Sequence, residues 1–327
     1  MSHRASRRTV AVLYAAALGA CAAAGAAAQD NYPMRPIRMV VGFAAGGPTD
    51  VIARTMAQYM SERLGQPVII ENRTGAGGNI AAEGVIKAPA DGYTLLAIVT
   101  AYVINPALYP NLPFNFMRDI AAVGGLGKIS YVIGVHPGLP IRNIAEMVSY
   151  AKANPGKLTY ASGGIGSSSH LSTEILASQA GIAMVHVPYK GNTAAYADLI
   201  GGRIALMLAD RQSVAQHVQS GAIRAIAVTS TARMEAMPNA PTVAETIPGY
   251  EASAFYGVGA PRGTPQPIID RLNAVMSAGH RDPGLRAKFV ELDTVPITGN
   301  AREFGEFMAA EADRWAKAIK AAGVKGE

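Results

Sequence analysis

Short apolar runs alternate with stretches of helical periodicity along most of the chain, the pattern of an α/β protein with largely parallel strands. The run 37–41 (IRMVV) predicts a buried strand, and Ile52, Met56, Met60 and Leu64 recur at helical spacing on one face of a helix from about Asp50. Between them lies a glycine-rich bend, 42–48, with Thr49 or Asp50 as the expected N-cap. Further strands are predicted at 67–71, 93–100, 121–126 and 131–135, with a helix around 80–87. The same device then recurs: the strand 158–162, a Gly/Ser-rich bend at 163–169, and a helix that turns Leu171, Ile175 and Leu176 inward. Strands near 184–187, 204–208, 223–229 and 252–260 and helices near 144–153, 194–200, 214–219, 267–278, 283–292 and 301–322 complete the alternation. No short-period repeat interrupts it.

Two strand–glycine bend–helix units imply a ligand trap of two lobes, each presenting its loops at the carboxyl ends of its strands. Free backbone N–H groups and the positive end of a helix dipole at each bend suit an anion. The bends are not nucleotide motifs. The first lacks the Gly-Lys-Ser/Thr ending of a phosphate loop, and counted from Gly42 it has Ala44 where a dinucleotide fingerprint needs its second glycine.

Arg4, Arg7 and Arg8 precede an uncharged, alanine-rich run ending at Ala26-Ala27-Ala28, so residues 1–28 are expected to be an export signal peptide. Ser6-Arg7-Arg8-Thr9-Val10 has the outline of a twin-arginine signal. The one cysteine, Cys21, follows Leu18-Gly19-Ala20, and its use as a lipid anchor is the lesser alternative. Without it, neither a disulfide nor a thiolate site is available. Loss of the three arginines would take the formal charge from +6 to +3. No lysine/arginine cluster interleaved with aromatics remains to recognise nucleic acid.

Ser168 invites a serine-hydrolase reading, but Gly166-Ser167-Ser168-Ser169-His170 places a histidine where the nucleophile elbow requires glycine. The simpler expectation is that Ser167, Ser168 and Ser169 cap the following helix and offer donors to a carboxylate. His136, His170, His186, His217 and His280 show no metal-ligand spacing, so neither a metal site nor a cofactor is expected, and each reads as a single structural or surface residue. Trp315, with Phe304, Met308 and Ile319, forms an apolar helix face that reads as core. Asp210-Arg211 follows a strand at its ligand-facing end; Arg211 is either a surface ion-pair partner or a carboxylate clamp.

Beyond these patterns, longer stretches resemble the Bug receptors, the solute-binding proteins of tripartite tricarboxylate transporters. They include Phe43-Ala44-Ala45-Gly46-Gly47-Pro48-Thr49-Asp50, Glu71-Asn72-Arg73-Thr74-Gly75-Ala76-Gly77-Gly78-Asn79 and Asp91-Gly92-Tyr93-Thr94-Leu95-Leu96. Ile104-Asn105-Pro106, His186-Val187-Pro188-Tyr189-Lys190-Gly191 and Pro261-Arg262-Gly263-Thr264-Pro265 extend the likeness over essentially the whole chain after residue 28. The resemblance implies a two-lobed type II periplasmic-binding-protein fold with a central ligand cleft, no catalysis, and a small carboxylate held by backbone N–H groups, hydroxyls and water. It also implies membrane permease subunits as partners and a periplasmic location. Lobe 1 is expected from 29–128 and 252–327, lobe 2 from 129–251, and the receptor is expected to be a monomer. The binding residues it implies are Phe43, Ala45, Gly46, Gly47, Thr49 and Asp50 in the first loop, Ser162, Gly163, Gly166, Ser167, Ser168 and His170 in the second, and Tyr102, Asp210 and Arg211.

Three departures from the family pattern bear on the ligand. Tyr102 stands where a histidine is frequent, and Thr74 replaces a proline after Arg73. Ala209-Asp210-Arg211-Gln212-Ser213 replaces a typical Asp-Asn-Leu-Pro-Ser, losing an acid and gaining an arginine near the cleft. The expected ligand is therefore a dicarboxylate, and Tyr102 and Phe43 point to an aromatic one. The competing readings are a carboxylate sensor docking to a signalling partner and an exported hydrolase using Ser168.

Overall fold

The structure, a computed structural model, describes residues 31–322 apart from 110 and 235. The expected signal peptide and Cys21 lie outside the described residues. Among those described, no helix is long and apolar enough to cross a membrane.

The first unit follows the apolar pattern closely through its third strand, and two helices that the pattern does not predict, at 100–108 and 116–119, come after it. Strand β1 (Ile37–Val41) leads through the glycine bend into helix α1 (Pro48–Leu64), then β2 (Val68–Asn72), α2 (Asn79–Ile86), β3 (Thr94–Val99), α3 (Thr100–Leu108) and the short α4 (Phe116–Asp119). β1 pairs in parallel with β2 and β3, in register Ile37↔Val68 and Arg38↔Thr94. Met39, Leu95, Leu96 and Ile98 are fully buried, as expected for parallel strands covered on both faces.

The runs expected as two strands near 121–126 and 131–135 are one strand, β4 (Ile120–Val135). The apolar pattern lapses between them at Gly127, where, as at Gly124 and Gly125 in the first run, another element presses on the backbone. A Cβ on Gly125 would lie 2.4 Å from Ile297 Cγ2, and one on Gly127 2.3 Å from Thr294 Cγ2. A side chain that must be absent leaves no periodicity to read.

After β4 come α5 (Ile144–Ala153), β5 (Thr159–Ser162), α6 (Ser168–Ala180), β6 (Val185–Pro188), α7 (Tyr196–Ile200), β7 (Leu206–Asp210), α8 (Arg211–Gln219) and β8 (Arg224–Val228). β9 (Ser253–Pro261) then returns, followed by α9 (Gln266–Gly279), α10 (Pro283–Glu291) and α11 (Ala301–Ala322). The strand order is β2-β1-β3-β9-β4-β7-β5-β6, with β8 also on β4. The two flanks are parallel, but the centre is antiparallel: β9 pairs antiparallel with β3 and β4, and β4 with β7 and β8. The mixed centre arises because β4 serves two groups of strands. Its first part, through Ser130, pairs with β9, and from Tyr131 onward it pairs with β7 and β8.

The second connection between the groups runs beside the first. Thr229, fully buried after β8, accepts the Tyr131 N–H on its hydroxyl at 2.7 Å and donates that hydroxyl to the Ala252 carbonyl at 2.6 Å. Helix α11 packs on β4, α3 and α6, and so touches both groups. Trp315 is fully buried on that face with Phe304, Met308 and Ile319, and its indole N–H bonds Glu311.

Candidate functional site

The first loop is shaped by Asp50. Its carboxylate is buried and accepts the Gly46 N–H at 2.9 Å, Arg54 Nε at 2.8 Å and Asn72 Nδ2 at 2.9 Å, while Asn72 Nδ2 also reaches the Phe43 carbonyl. Burial alone would raise the Asp50 carboxyl, but the bonds from Arg54, Gly46 and Asn72 outweigh it and hold it below its ordinary range. Asp50 is therefore a scaffold of the loop, and neither it nor Thr49 is the N-cap. That position is Gly47, without a side-chain cap, and Pro48 opens the helix. The amide end of α1 is left without a side-chain cap at the loop surface.

Tyr102 lies beneath the loop, fully buried. A Cβ on Gly42 would fall 2.4 Å from its hydroxyl and one on Gly78 2.8 Å from its Cε1, so both glycines are there to let the ring approach the backbone. Burial keeps the phenol well above its ordinary value, hence protonated. It supports the loop from below and is not on the cavity wall.

The second loop is built from its own hydroxyls and a pair of histidines. Ser167 caps α6 by accepting the His170 N–H, and Ser169 Oγ accepts the Gly163 N–H and donates to Asn192. Gly166, at φ +74°, donates its N–H to His170 Nδ1 at 3.2 Å. Ser162 is fully buried and its hydroxyl bonds His186 Nε2 at 2.6 Å. The His170 and His186 rings stack with centroids 4.0 Å apart, and Tyr160 stacks alongside with its centroid 4.9 Å from that of His186. These histidines, expected to be isolated, form a stacked pair under the loop, His170 buried and His186 half-buried. Burial lowers both to about 4, so both are neutral at neutral pH. Ser168 Oγ bonds Tyr131 Oη at 2.6 Å, and no histidine bonds it among the described residues.

Both loops open on one cavity of about 680 Å³ between the two strand groups. Phe43, Gly47 and Thr49 line it from the first group, and Gly163, Ser167, Ser168 and Asp210 from the second. The other expected binding residues do not. Ala45 and Gly46 stand at the exposed tip of the first loop, and Asp50, Tyr102, Ser162, Gly166 and His170 build the loops from behind.

Arg211 is the clearest correction. Its guanidinium pairs with Asp293 and donates to the Glu291 carbonyl, so it is spent on the turn after α10 and does not reach the cavity. The acid beside it does: Asp210 is buried at the end of β7 and lines the wall. Its carboxylate caps α8, accepting the Ser213 N–H at 2.9 Å and the Ser213 hydroxyl at 2.7 Å. The wall thus keeps an acid and gains no arginine.

Sequence reasoning missed the turn 74–78, the segment 188–193, and the side chains of Tyr109, Ile129, Tyr131 and Tyr256, which also line the cavity. Both segments follow strand ends, and the first is rich in glycine, a signal that could have placed it. Tyr131 and Tyr256 sit inside strands, where nothing separates a wall residue from a core residue. Among the described residues no cluster of three or more metal-ligating side chains occurs.

Residues 52–324 match the family model described as the tripartite tricarboxylate transporter family receptor. BugT of Bordetella pertussis is 36% identical over 299 residues, 90% of this chain and 92% of that protein. A UPF0065 protein from the tcbD-tcbE intergenic region of Pseudomonas sp. strain P51 is 37% identical over 292 residues, 89% and 87% of the two chains. Rpa4515 of R. palustris, whose structure is with adipate, superposes with a TM-score of 0.86 at 35% identity, covering 90% of this chain and all of that one. The structure of MatC from Rhodopseudomonas palustris with bound malate gives 0.82 at 30% identity, covering 88% and 100%. The periplasmic binding protein BugD gives 0.83 at 35%, covering 90% and 100%. With its two strand groups, its cavity between them and this likeness over nine-tenths of its length, the chain belongs to the solute-binding receptors of the tripartite tricarboxylate transporter family.

Proposed function

We propose that this receptor captures a small carboxylate in the cavity and delivers it to the membrane permease of a tripartite tricarboxylate transporter, without catalysing a reaction on it. The observation that carries this reading is the convergence of two helix amide ends, those of α1 at Gly47–Thr49 and α6 at Ser167–Ser169, on one cavity. Oriented N–H groups and hydroxyls there meet a carboxylate without needing a fixed cation. Neighbours solved with adipate and with malate bind small dicarboxylates in the same fold, which supports a ligand of that class. The Arg211 argument no longer does.

The lobes would be 29–128 with 252–327, and 129–251, closing about the paired connections at Tyr131 and Thr229. Export to the periplasm as a monomer follows from the same reading. Ser168 bonded to a tyrosine gives the hydrolase reading no support.

The test is thermal unfolding of the chain from Gln29 with a panel of mono-, di- and tricarboxylates. At 100 times its dissociation constant, a ligand stabilises the native state by about 2.7 kcal/mol. A shift confined to carboxylates supports the reading, and a flat response to every acid in the panel overturns it.

A further inference from the structure

The cavity wall carries two charged residues, Asp210 and Lys190. They are unlike in setting. Lys190 is exposed and makes no ion pair among the described residues, so solvent already satisfies it. Asp210 is 7% exposed, and both hydrogen bonds to its carboxylate come from Ser213. No lysine, arginine or histidine nitrogen among the described residues lies within ion-pair distance of it. The cation next to it in sequence, Arg211, is held by Asp293 and the Glu291 carbonyl.

Two bonds leave about half of a carboxylate's acceptor capacity unfilled. In an open cleft, water fills it. When a ligand displaces that water, the charge stays behind in a less polar place, and the cost falls only if the ligand brings a donor or a cation. The rings beside Asp210 favour the cation. Tyr131 pairs with it across β4 and β7, and Tyr256 lies on the same wall. Both phenols are raised, by burial first and by the Asp210 charge as a further cause, so they remain neutral aromatic neighbours.

From this arrangement we infer that the ligand is an amino-substituted carboxylate: its carboxylates meet the amide ends of α1 and α6, and its ammonium group meets Asp210. The inference rests on the carboxylate-receptor reading and narrows it. A plain dicarboxylate leaves Asp210 uncompensated, and a second carboxylate brought to that wall is repelled.

The experiment is calorimetric titration of the chain from Gln29 with matched pairs, aspartate against succinate and glutamate against glutarate, with malate as the hydroxyl case. Each is repeated on Asp210→Asn, which keeps an oxygen to cap α8 and is therefore expected to fold. The wild type is expected to prefer the amino member of a pair by at least about tenfold, as a charge-assisted bond in a closed site would give. In Asp210→Asn that preference should fall below about threefold, with succinate or glutarate bound at least as tightly as before. Equal binding of both members by the wild type, a preference for malate over aspartate, or a preference that survives Asp210→Asn would each overturn the inference while leaving the receptor reading intact. Binding of no acid in the set would overturn both.

Discussion

Arg211 and Asp293, 82 residues apart, form an ion pair that ties the first turn of α8 to the turn following α10. Both side chains are about four-fifths buried, and Asp293 adopts φ +48°, a left-handed conformation that aspartate tolerates better than most residues. Arg211→Ala is expected to cost about 1–2 kcal/mol, between the values for exposed and fully buried pairs. Burial raises the Asp293 carboxyl and Arg211 partly offsets it, so removing the arginine raises it further. A carboxyl raised in the folded state favours folding while protonated and loses that contribution as pH rises through its folded value. The cost of Arg211→Ala should therefore be small in acid, where Asp293 is neutral, and full at neutral pH. Urea unfolding of both proteins at about pH 4 and pH 7 checks it.

Thr229 makes a second tie, between the adjacent connections themselves. Thr229→Val keeps the shape but leaves the Tyr131 N–H and the Ala252 carbonyl without their hydroxyl partner in a fully buried place. Unfilled buried donors and acceptors cost about 1–3 kcal/mol each, so a loss of about 2–4 kcal/mol is expected. Thr229→Ser should recover most of it. A loss in serine with little or none in valine would show that the methyl group, not the hydroxyl, is what matters.

Asp50→Ala should loosen the first loop, because three donors, the Gly46 N–H, Arg54 and Asn72, lose one acceptor. Stability should fall by about 2 kcal/mol and ligand affinity by about tenfold or more, as expected when a preorganised site must be ordered on binding. The folded-state carboxyl is depressed, so its stabilisation is present above the unfolded value and disappears as pH falls through the folded one. In Asp50→Asn that acid loss should be smaller than in the wild type.

Most of the framework was legible because apolar periodicity reports burial: β1, α5 and α11 fall where the pattern puts them. It failed where packing removes side chains, as at Gly127 in β4. At the site, the pattern identified the two loops but not the orientation of residues around them. Asp210 and Arg211 are consecutive, yet one lines the cavity and the other turns to Asp293, a partner that no local spacing announces. Likewise Asp50 reads as a ligand-facing cap, although Gly46 and Arg54, four residues away on either side, and Asn72 on the next strand have claimed its carboxylate. The stacking of His170 on His186 depends on β5 and β6 lying side by side, which 15 intervening residues do not reveal.

That stacked pair makes the second loop sensitive to acid. Burial, with a smaller contribution from His186 at His170, lowers both rings to about 4 from an ordinary value near 6.5. Histidines depressed in the folded state take up protons more readily when unfolded, so the stability they allow is present above about pH 6.5 and is lost progressively toward about pH 4. His280, buried against the Leu126 carbonyl and also lowered, adds to the same limb. Unfolding of the wild type should therefore take up more than one proton over that window. His186→Gln removes one of the titrating rings while retaining a side chain able to bond Ser162, so its uptake should be smaller. Ligand affinity should decline in the same window, because a protonated His170 Nδ1 can no longer accept the Gly166 N–H that shapes the loop. Unfolding free energies and titrations between about pH 4.5 and pH 7 measure both effects. A pH-independent affinity with a pH-dependent stability would place the pair in the scaffold and not in the loop's control.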